Sequence, residues 1–211
     1  MTPTPDLHLE AVVPAAGLSC RAGTFKPAWV VDGRALLRHA VDGLRPWCRR
    51  IVVVTGHEHE RAAALVADLA GVVAVHNPRY REDMFLSVQA GAAALAADAA
   101  GFFVLPADCP FVAAEVHQAL IAAFVAADRA CGVVPEHAGR GGHPVLLPIT
   151  AREAILSAGA GCNLRRIVAA SAPLRVPVGS ASILADLDTP ADLAALCGDG
   201  PRPGRPGRSA P

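Results

Sequence analysis

A chain of 211 residues with 19 basic and 19 acidic side chains carries no formal net charge, and only 4% of it is aromatic. It therefore has neither the basic face nor the stacking platforms that nucleic acid requires, and nucleic acid is not an expected partner. Just over half the residues are hydrophobic, yet no run reaches the ~18 uninterrupted apolar residues of a membrane span, so no membrane partner is expected either.

The length suits one domain with a substantial core. The opening MTPTPDLHLE has neither a basic stretch nor an apolar one, and no secretion signal is expected. The six cysteines, at 20, 48, 109, 131, 162 and 197, form no C-x-x-C pair and no zinc spacing, which suits reduced thiols in the cytoplasm. Residues 1–9 are expected to be an N-terminal tail and 10–198 the domain. Residues 199–211 (DGPRPGRPGRSAP in its 13-residue context) are rich in Pro, Gly and Arg and are expected to be disordered.

In chain order, β-type runs alternate with Ala/Leu-rich helical stretches. Strands are expected at 10–13, 51–55 (IVVVT), 72–75 (VVAV), 102–105 (FFVL), 131–134 (CGVV), 144–148 (PVLLP), 174–178 (LRVPV) and 182–185. Helices are expected at 35–45, 58–69, 84–97, 112–127, 150–157, 163–170 and 190–197. The strand–loop–helix order of the first half implies right-handed crossovers and a parallel sheet with helices on both faces. From residue 131 onward the strands crowd together, so an antiparallel strand is expected at 144–148 and the sheet is expected to be mixed. The fold class is α/β, a three-layer α/β/α arrangement with a mixed, mostly parallel sheet. Ligands in such sheets bind beyond the carboxyl ends of the parallel strands, which places the loops after residues 13, 55, 75 and 105 on one rim.

The first rim loop, Val12 to Lys26, reads VVPAAGLSCRAGTFK. Its glycines and small residues allow backbone N–H groups to turn toward one point and form a nest for anions, with Arg21 and Lys26 beside it. Lys26 is the only lysine among the nineteen basic residues, which suggests a compact point charge at that position. The plain alternative is a surface turn with two solvated cations. A Walker loop is excluded because Gly23 is followed by Thr24, Phe25 and Lys26-Pro27, and the G-x-G-x-x-G fingerprint is excluded because residue 19 is Ser.

After 102–105 the chain reads Leu105-Pro106-Ala107-Asp108-Cys109-Pro110. A carboxylate here, opposite a phosphate nest, suits Mg²⁺ bridging phosphate oxygens, although Asp108 could instead cap the following helix. Further on, Thr189, Pro190 and Asp192 form a capping box. That leaves Asp186 and Asp188 unexplained, at the end of an expected strand, with one of them a candidate second metal ligand. Asn77, Ser87 and Gln89 follow the third strand and are candidates to meet a base or acceptor, or simply residues of a first helical turn. Gly142 and His143, at the start of the returning strand, are candidate acceptor contacts, although a lone histidine before a proline is more often structural or solvated.

In order, VVPAAGLSCRAGTFKP, VVTGH, HNPRY…MFLSVQAG, FFVLPADCPFV, GGHPVLL and LADLDTPADLAAL resemble the molybdenum cofactor cytidylyl/guanylyltransferase-like (MobA-like) nucleotidyltransferases. The resemblance implies a Rossmann-like nucleotidyltransferase fold, Mg²⁺, and transfer of a nucleoside monophosphate to an acceptor phosphate with release of pyrophosphate. Carried over residue by residue, it places Ala15, Ala16 and Gly17 at the nucleotide, and Ser19, Asn77 and Ser87 are added to them as further candidate nucleotide contacts. By the same resemblance Arg21 and Lys26 neutralise the triphosphate and Asp108 holds the metal, with Asp188 the candidate second ligand from the reading above. The Ala-Ala-Gly start favours CTP over GTP, with molybdopterin or molybdenum cofactor as acceptor and a molybdenum hydroxylase or its maturation chaperone as a further partner. The chain departs from the family pattern at Pro14, at Ala22, at Asp83 and in the segment Gly159 to Arg165. The alternatives are a transferase for another phosphorylated small molecule and a non-catalytic cofactor-binding maturation protein.

Overall fold

The computed structural model describes residues 7–19, 23–159 and 161–197. The expected C-terminal tail and most of the N-terminal one lie outside the described residues.

β1 (Leu9–Ala15) runs through the middle of the sheet and is covered on both faces, which is why its sequence is a near-continuous apolar run. Glu10 is the exception, and its buried carboxylate accepts the Ala96 N–H at 3.0 Å. A 3-10 turn at Lys26–Ala28 leads into a small hairpin, β2 (Val30–Val31) and β3 (Arg34–Ala35), and then α1 (Leu36–Leu44). The hairpin was not among the expected elements. It turns on Asp32-Gly33, both with positive φ, the arrangement that suits a two-residue hairpin loop.

The next units are β4 (Arg50–Thr55), α2 (His59–Ala64), β5 (Val72–His76), α3 (Phe85–Ala93), β6 (Gly101–Val104) and α4 (Ala114–Ala126). After them come β7 (Val133–His137), β8 (Arg140–Gly141), β9 (Val145–Pro148), α5 (Ala151–Ser157), α6 (Leu164–Ala170) and β10 (Leu174–Pro177), with α7 (Pro190–Cys197) last. The main sheet has the order β10-β7-β9-β6-β1-β4-β5, with β8 hydrogen-bonded to β7. β1 is parallel to β4 and β6, β4 to β5, and β7 to β10. β9 runs antiparallel between β6 and β7, as expected for residues 144–148. The sheet is therefore mixed and mostly parallel.

Alternation along the strands divides the core between the two faces. Ala11, Val13, Ile51, Val53 and Phe103 pack with Leu37 and Val41 of α1 and Leu120 and Phe124 of α4. Val12, Val52, Val54 and Phe102 face the other way, onto Val88 and Ala92 of α3, Ile155 of α5 and Val168 of α6. No helix among the described residues is long and apolar enough to cross a membrane.

Three expectations need correction. α2 ends at Ala64 rather than 69 because the chain continues in i→i+3 turns, with Leu65, Val66 and Leu69 donating to Ala62, Ala63 and Val66. α3 ends at Ala93 rather than 97, where arginine side chains take its terminal carbonyls. Arg152 donates to Ala92 at 2.8 Å and Ala93 at 3.0 Å, and Arg50 donates to Ala94 at 2.8 Å. The expected strand at 182–185 is a 3-10 turn, Ala181–Leu184, capped by the Ser180 hydroxyl, which accepts the Ser182 N–H. Local serine hydrogen bonds of this kind compete with extended backbone.

That turn is pinned to the β8–β9 connection. His143 N–H donates to the Ile183 carbonyl at 2.9 Å, Gly142 N–H donates to Pro135 at 3.1 Å, and a Cβ on Gly142 would collide with the Ile183 backbone. Gly142→Ala should therefore destabilise the fold by about 1–3 kcal/mol through overpacking, read as a lower urea midpoint.

His117 lies on the buried face of α4, stacked 6.0 Å from Trp47 and edge-on to Phe103 at 5.6 Å. Burial pushes its imidazole down to about 4. The unfolded chain thus holds the extra proton, and this stability is complete above the ordinary histidine range and lost as pH falls toward 4. Denaturation of wild type and His117→Leu between pH 7 and pH 4.5 should show wild type losing up to about 3 kcal/mol relative to the variant.

Candidate active site

β1 connects through α1 to β4 on one side, while β6 lies on its other side, so the carboxyl ends of β1 and β6 flank the point where the strand order reverses. The Gly-rich loop leaves β1 at this point. Ala15 and Ala16 are buried, and the Ala16 carbonyl accepts the His57 N–H at 3.2 Å. Gly56 allows this approach, because a Cβ there would meet both Tyr80 and Ala16. Gly17 is exposed and has open space where a Cβ would project. Ser19 takes a positive φ of 53° and its Oγ accepts the Lys26 N–H at 3.3 Å. Phe25 is buried with the Arg61 guanidinium 5.0 Å from its ring centroid. Arg21 lies outside the described residues.

Lys26 and Asp108 meet. The Lys26 Nζ donates to Asp108 Oδ2 at 2.9 Å and to Asp188 Oδ1 at 3.0 Å, so three residues distant in sequence converge on one point. Their side chains are 15%, 30% and 28% exposed, sheltered enough to interact strongly and open enough to be reached from solvent. Burial by itself would lower the Lys26 pKa, but Asp108 and Asp188 outweigh it and raise the ammonium above its ordinary value. Asp108 does not cap α4, whose cap residue Ala113 has no side-chain cap bond and instead donates its N–H to Ser182 Oγ at 3.1 Å.

Leu187 anchors the second acidic segment. Its N–H donates to the Asp108 carbonyl at 2.9 Å, and its side chain is buried with Val31 and Leu36. On either side of it, Asp186 and Asp188 take different partners. Asp188 meets Lys26, while Asp186 Oδ1 accepts the Cys109 S–H at 3.1 Å. Burial first, with Asp108 and Asp186 adding to it, pushes the Cys109 thiol well up, so it remains a neutral donor. The capping box then starts α7: Asp192 Oδ2 accepts the Thr189 N–H at 2.7 Å, and Asp192 N–H donates back to Thr189 Oγ1 at 3.2 Å.

His143 lies within the electrostatic reach of Asp186 and Asp108. Burial lowers its pKa against the opposing pull of Asp186 and Asp108, which favours the neutral imidazole. Its Nδ1 is buried and finds no hydrogen-bond partner among the described residues. Asn77 and Ser87 are paired with each other: the buried Asn77 amide donates to Ser87 Oγ at 3.0 Å and accepts the Arg79 N–H at 3.0 Å. Gln89 is bonded to the Ile155 and Ala158 carbonyls at the end of α5. The sequence reading did not find the Cys109 thiol's part in the site. Its position directly after Asp108 was the available signal.

Among the described residues no group of three or more His, Cys, Asp or Glu side chains is arranged to hold a metal by itself. The two carboxylates converging on Lys26 are hard oxygen donors, and such a pair suits Mg²⁺, which takes one or two carboxylates and completes its shell with substrate phosphates and water.

Known proteins share this architecture. The chain is 25% identical over 185 residues to the molybdenum cofactor cytidylyltransferase of Escherichia coli, covering 88% of this chain and 93% of that protein. The crystal structure of Rv0371c from Mycobacterium tuberculosis superposes with a TM-score of 0.75 at 22% identity, covering 90% and 98% of the two chains, and the same protein has been solved as a complex with manganese. A 4-diphosphocytidyl-2C-methyl-D-erythritol synthase from Anaerococcus prevotii superposes with a TM-score of 0.71 at 15% identity, covering 90% and 95%. These two structures share the fold. The MobA-like NTP transferase domain matches residues 11–175, most of the chain, and the protein belongs to that nucleotidyltransferase family.

Proposed function

We propose that this nucleotidyltransferase transfers CMP from CTP to the phosphate of molybdopterin or molybdenum cofactor and releases pyrophosphate. The observation that carries the reading is the convergence of Lys26, Asp108 and Asp188 beside the Gly-rich loop. Similarity to the Escherichia coli molybdenum cofactor cytidylyltransferase over 88% of the chain supports the choice of nucleotide and acceptor.

Phosphoryl chemistry of this type asks little covalent work of the protein and depends on position and charge. An oxygen of the acceptor phosphate attacks the α-phosphorus of CTP, and the bond to the oxygen bridging the α- and β-phosphates breaks. Pyrophosphate leaves with that electron pair. The acceptor phosphate is already ionised near neutral pH, so no general base is required, which agrees with a neutral, buried His143. In this reading Ala15, Ala16, Gly17 and Ser19 turn backbone groups toward the nucleotide, while Arg21 and Lys26 counter the triphosphate charge. Asn77 and Ser87 shape the rim beside it, and Gly142 and His143 face the acceptor half. Asp108 and Asp188 are the residues that would hold Mg²⁺, whose contribution is to neutralise charge on the phosphate oxygens. A molybdenum hydroxylase or its maturation chaperone would receive the product, in the cytoplasm.

Pyrophosphate release from CTP, GTP, ATP and UTP, each with Mg²⁺ and molybdenum cofactor, tests the reading. CTP is expected to be used in preference to the other three, and no release with any of them overturns the proposal. Asp108→Ala, Asp188→Ala, Lys26→Ala and Arg21→Ala should each lower the rate on the order of 10²-fold or more. Asp186→Asn, which changes the residue bonded to Cys109, should cost roughly tenfold or less. Equal losses at Asp186 and Asp188 in steady-state rates would remove the assignment of Asp188 as the second acid.

A further inference from the structure

We infer that Lys26 is a resident counter-ion shared by Asp108 and Asp188, and that nucleotide and divalent cation load this site in a coupled way, the nucleotide drawing Lys26 off the two carboxylates that the cation then takes. The inference rests on the nucleotidyltransferase reading of the site and adds to it a competition between two cations.

The geometry sets up that competition. One ammonium touches one oxygen of each carboxylate, at 2.9 and 3.0 Å, and all three side chains are partly withdrawn from water. Two carboxylates this close repel each other when no cation lies between them. A divalent cation bound to the same pair would stand within a few ångströms of the ammonium, and like charges so close cannot both stay in a sheltered site. The cation alone must therefore expel Lys26 into solvent, which weakens its binding to the free protein.

A triphosphate changes the balance. Its oxygens offer the ammonium a second set of charge-assisted hydrogen bonds, at the mouth of the loop that Lys26 itself closes. The Lys26 backbone is anchored, with its N–H on Ser19 Oγ and Pro27 buried behind it, while its flexible four-carbon stem can change partners. Nucleotide binding then draws Lys26 away from both carboxylates, and by linkage each ligand raises the affinity for the other. When pyrophosphate leaves, the ammonium returns to the acids and favours release of the cation.

The closing experiment is a Mn²⁺ titration without nucleotide, followed by the electron paramagnetic resonance signal of free Mn²⁺, for wild type, Lys26→Met and Lys26→Arg. Lys26→Met is expected to bind Mn²⁺ on the order of tenfold or more tightly than wild type, and Lys26→Arg about as weakly as wild type. Mn²⁺ binding to Lys26→Met that is equal to or weaker than wild type overturns the inference. A second measurement needs no variant. Because Lys26 is the only lysine, protein grown with ¹³Cε-lysine gives one lysine side-chain signal. That signal should move when Mg²⁺ saturates the protein and when CTP is added in EDTA, and a signal unmoved by both overturns the inference. Neither measurement contains an acceptor. A chain that turns over CTP without the Lys26→Met gain loses the inference and keeps the proposed function, while the reverse pattern keeps the counter-ion role and loses the proposed function.

Discussion

Two carboxylates share one ammonium beyond the ends of the central strands, and backbone contacts from well-separated parts of the chain hold the three residues together. Lys26 and Asp108 are 82 residues apart and Lys26 and Asp188 are 162 apart, so no local preference can bring them together. Sheltered charges are costly unless partners compensate them in good geometry. Here the Lys26 ammonium supplies that compensation to both acids at once, at 2.9 and 3.0 Å.

Each of the three groups is held by its backbone rather than by its side chain. Lys26 follows β1 through a loop tied down at Ala16 by His57 and at Ser19 by its own hydroxyl. Asp108 follows β6, and its carbonyl takes the N–H of Leu187, so the second and third acids are positioned relative to the first. The 3-10 turn before them is locked to the β8–β9 connection through Gly142 and Ile183. The backbones that carry the three side chains are thus fixed by contacts other than the one between the side chains themselves.

Cys109 and Leu187 show how the acids are told apart. The thiol, kept neutral by burial, occupies Asp186, and Leu187 buries itself between Val31 and Leu36. Asp188 is thereby the one presented to Lys26. The segment is not a strand, so the alternating direction of strand side chains plays no part in this division. A hydrogen bond and a buried leucine do the sorting.

Much of the architecture was legible in the chain itself. β1, β4 and β6 read as apolar runs because both their faces are covered, the antiparallel strand at 145–148 was marked by crowding of short apolar segments, and the Thr189–Asp192 box marked the start of α7. The hairpin turn at Asp32-Gly33 had a signal that went unread, a D-G pair between short apolar runs. The C-terminal end of α3 had none, since the arginines that take its carbonyls, Arg50 and Arg152, reach them from 44 and 60 residues away. The same division applies to the site. Residue types and their order along the chain determined the family and the α/β layering and singled out Lys26 and Asp108 as candidates, because hydrophobic period and loop composition are local properties. Which second acid meets Lys26, and that a thiol holds the other, was decided only by tertiary packing, because charge pairing depends on distance in space and the chain order carries no record of it.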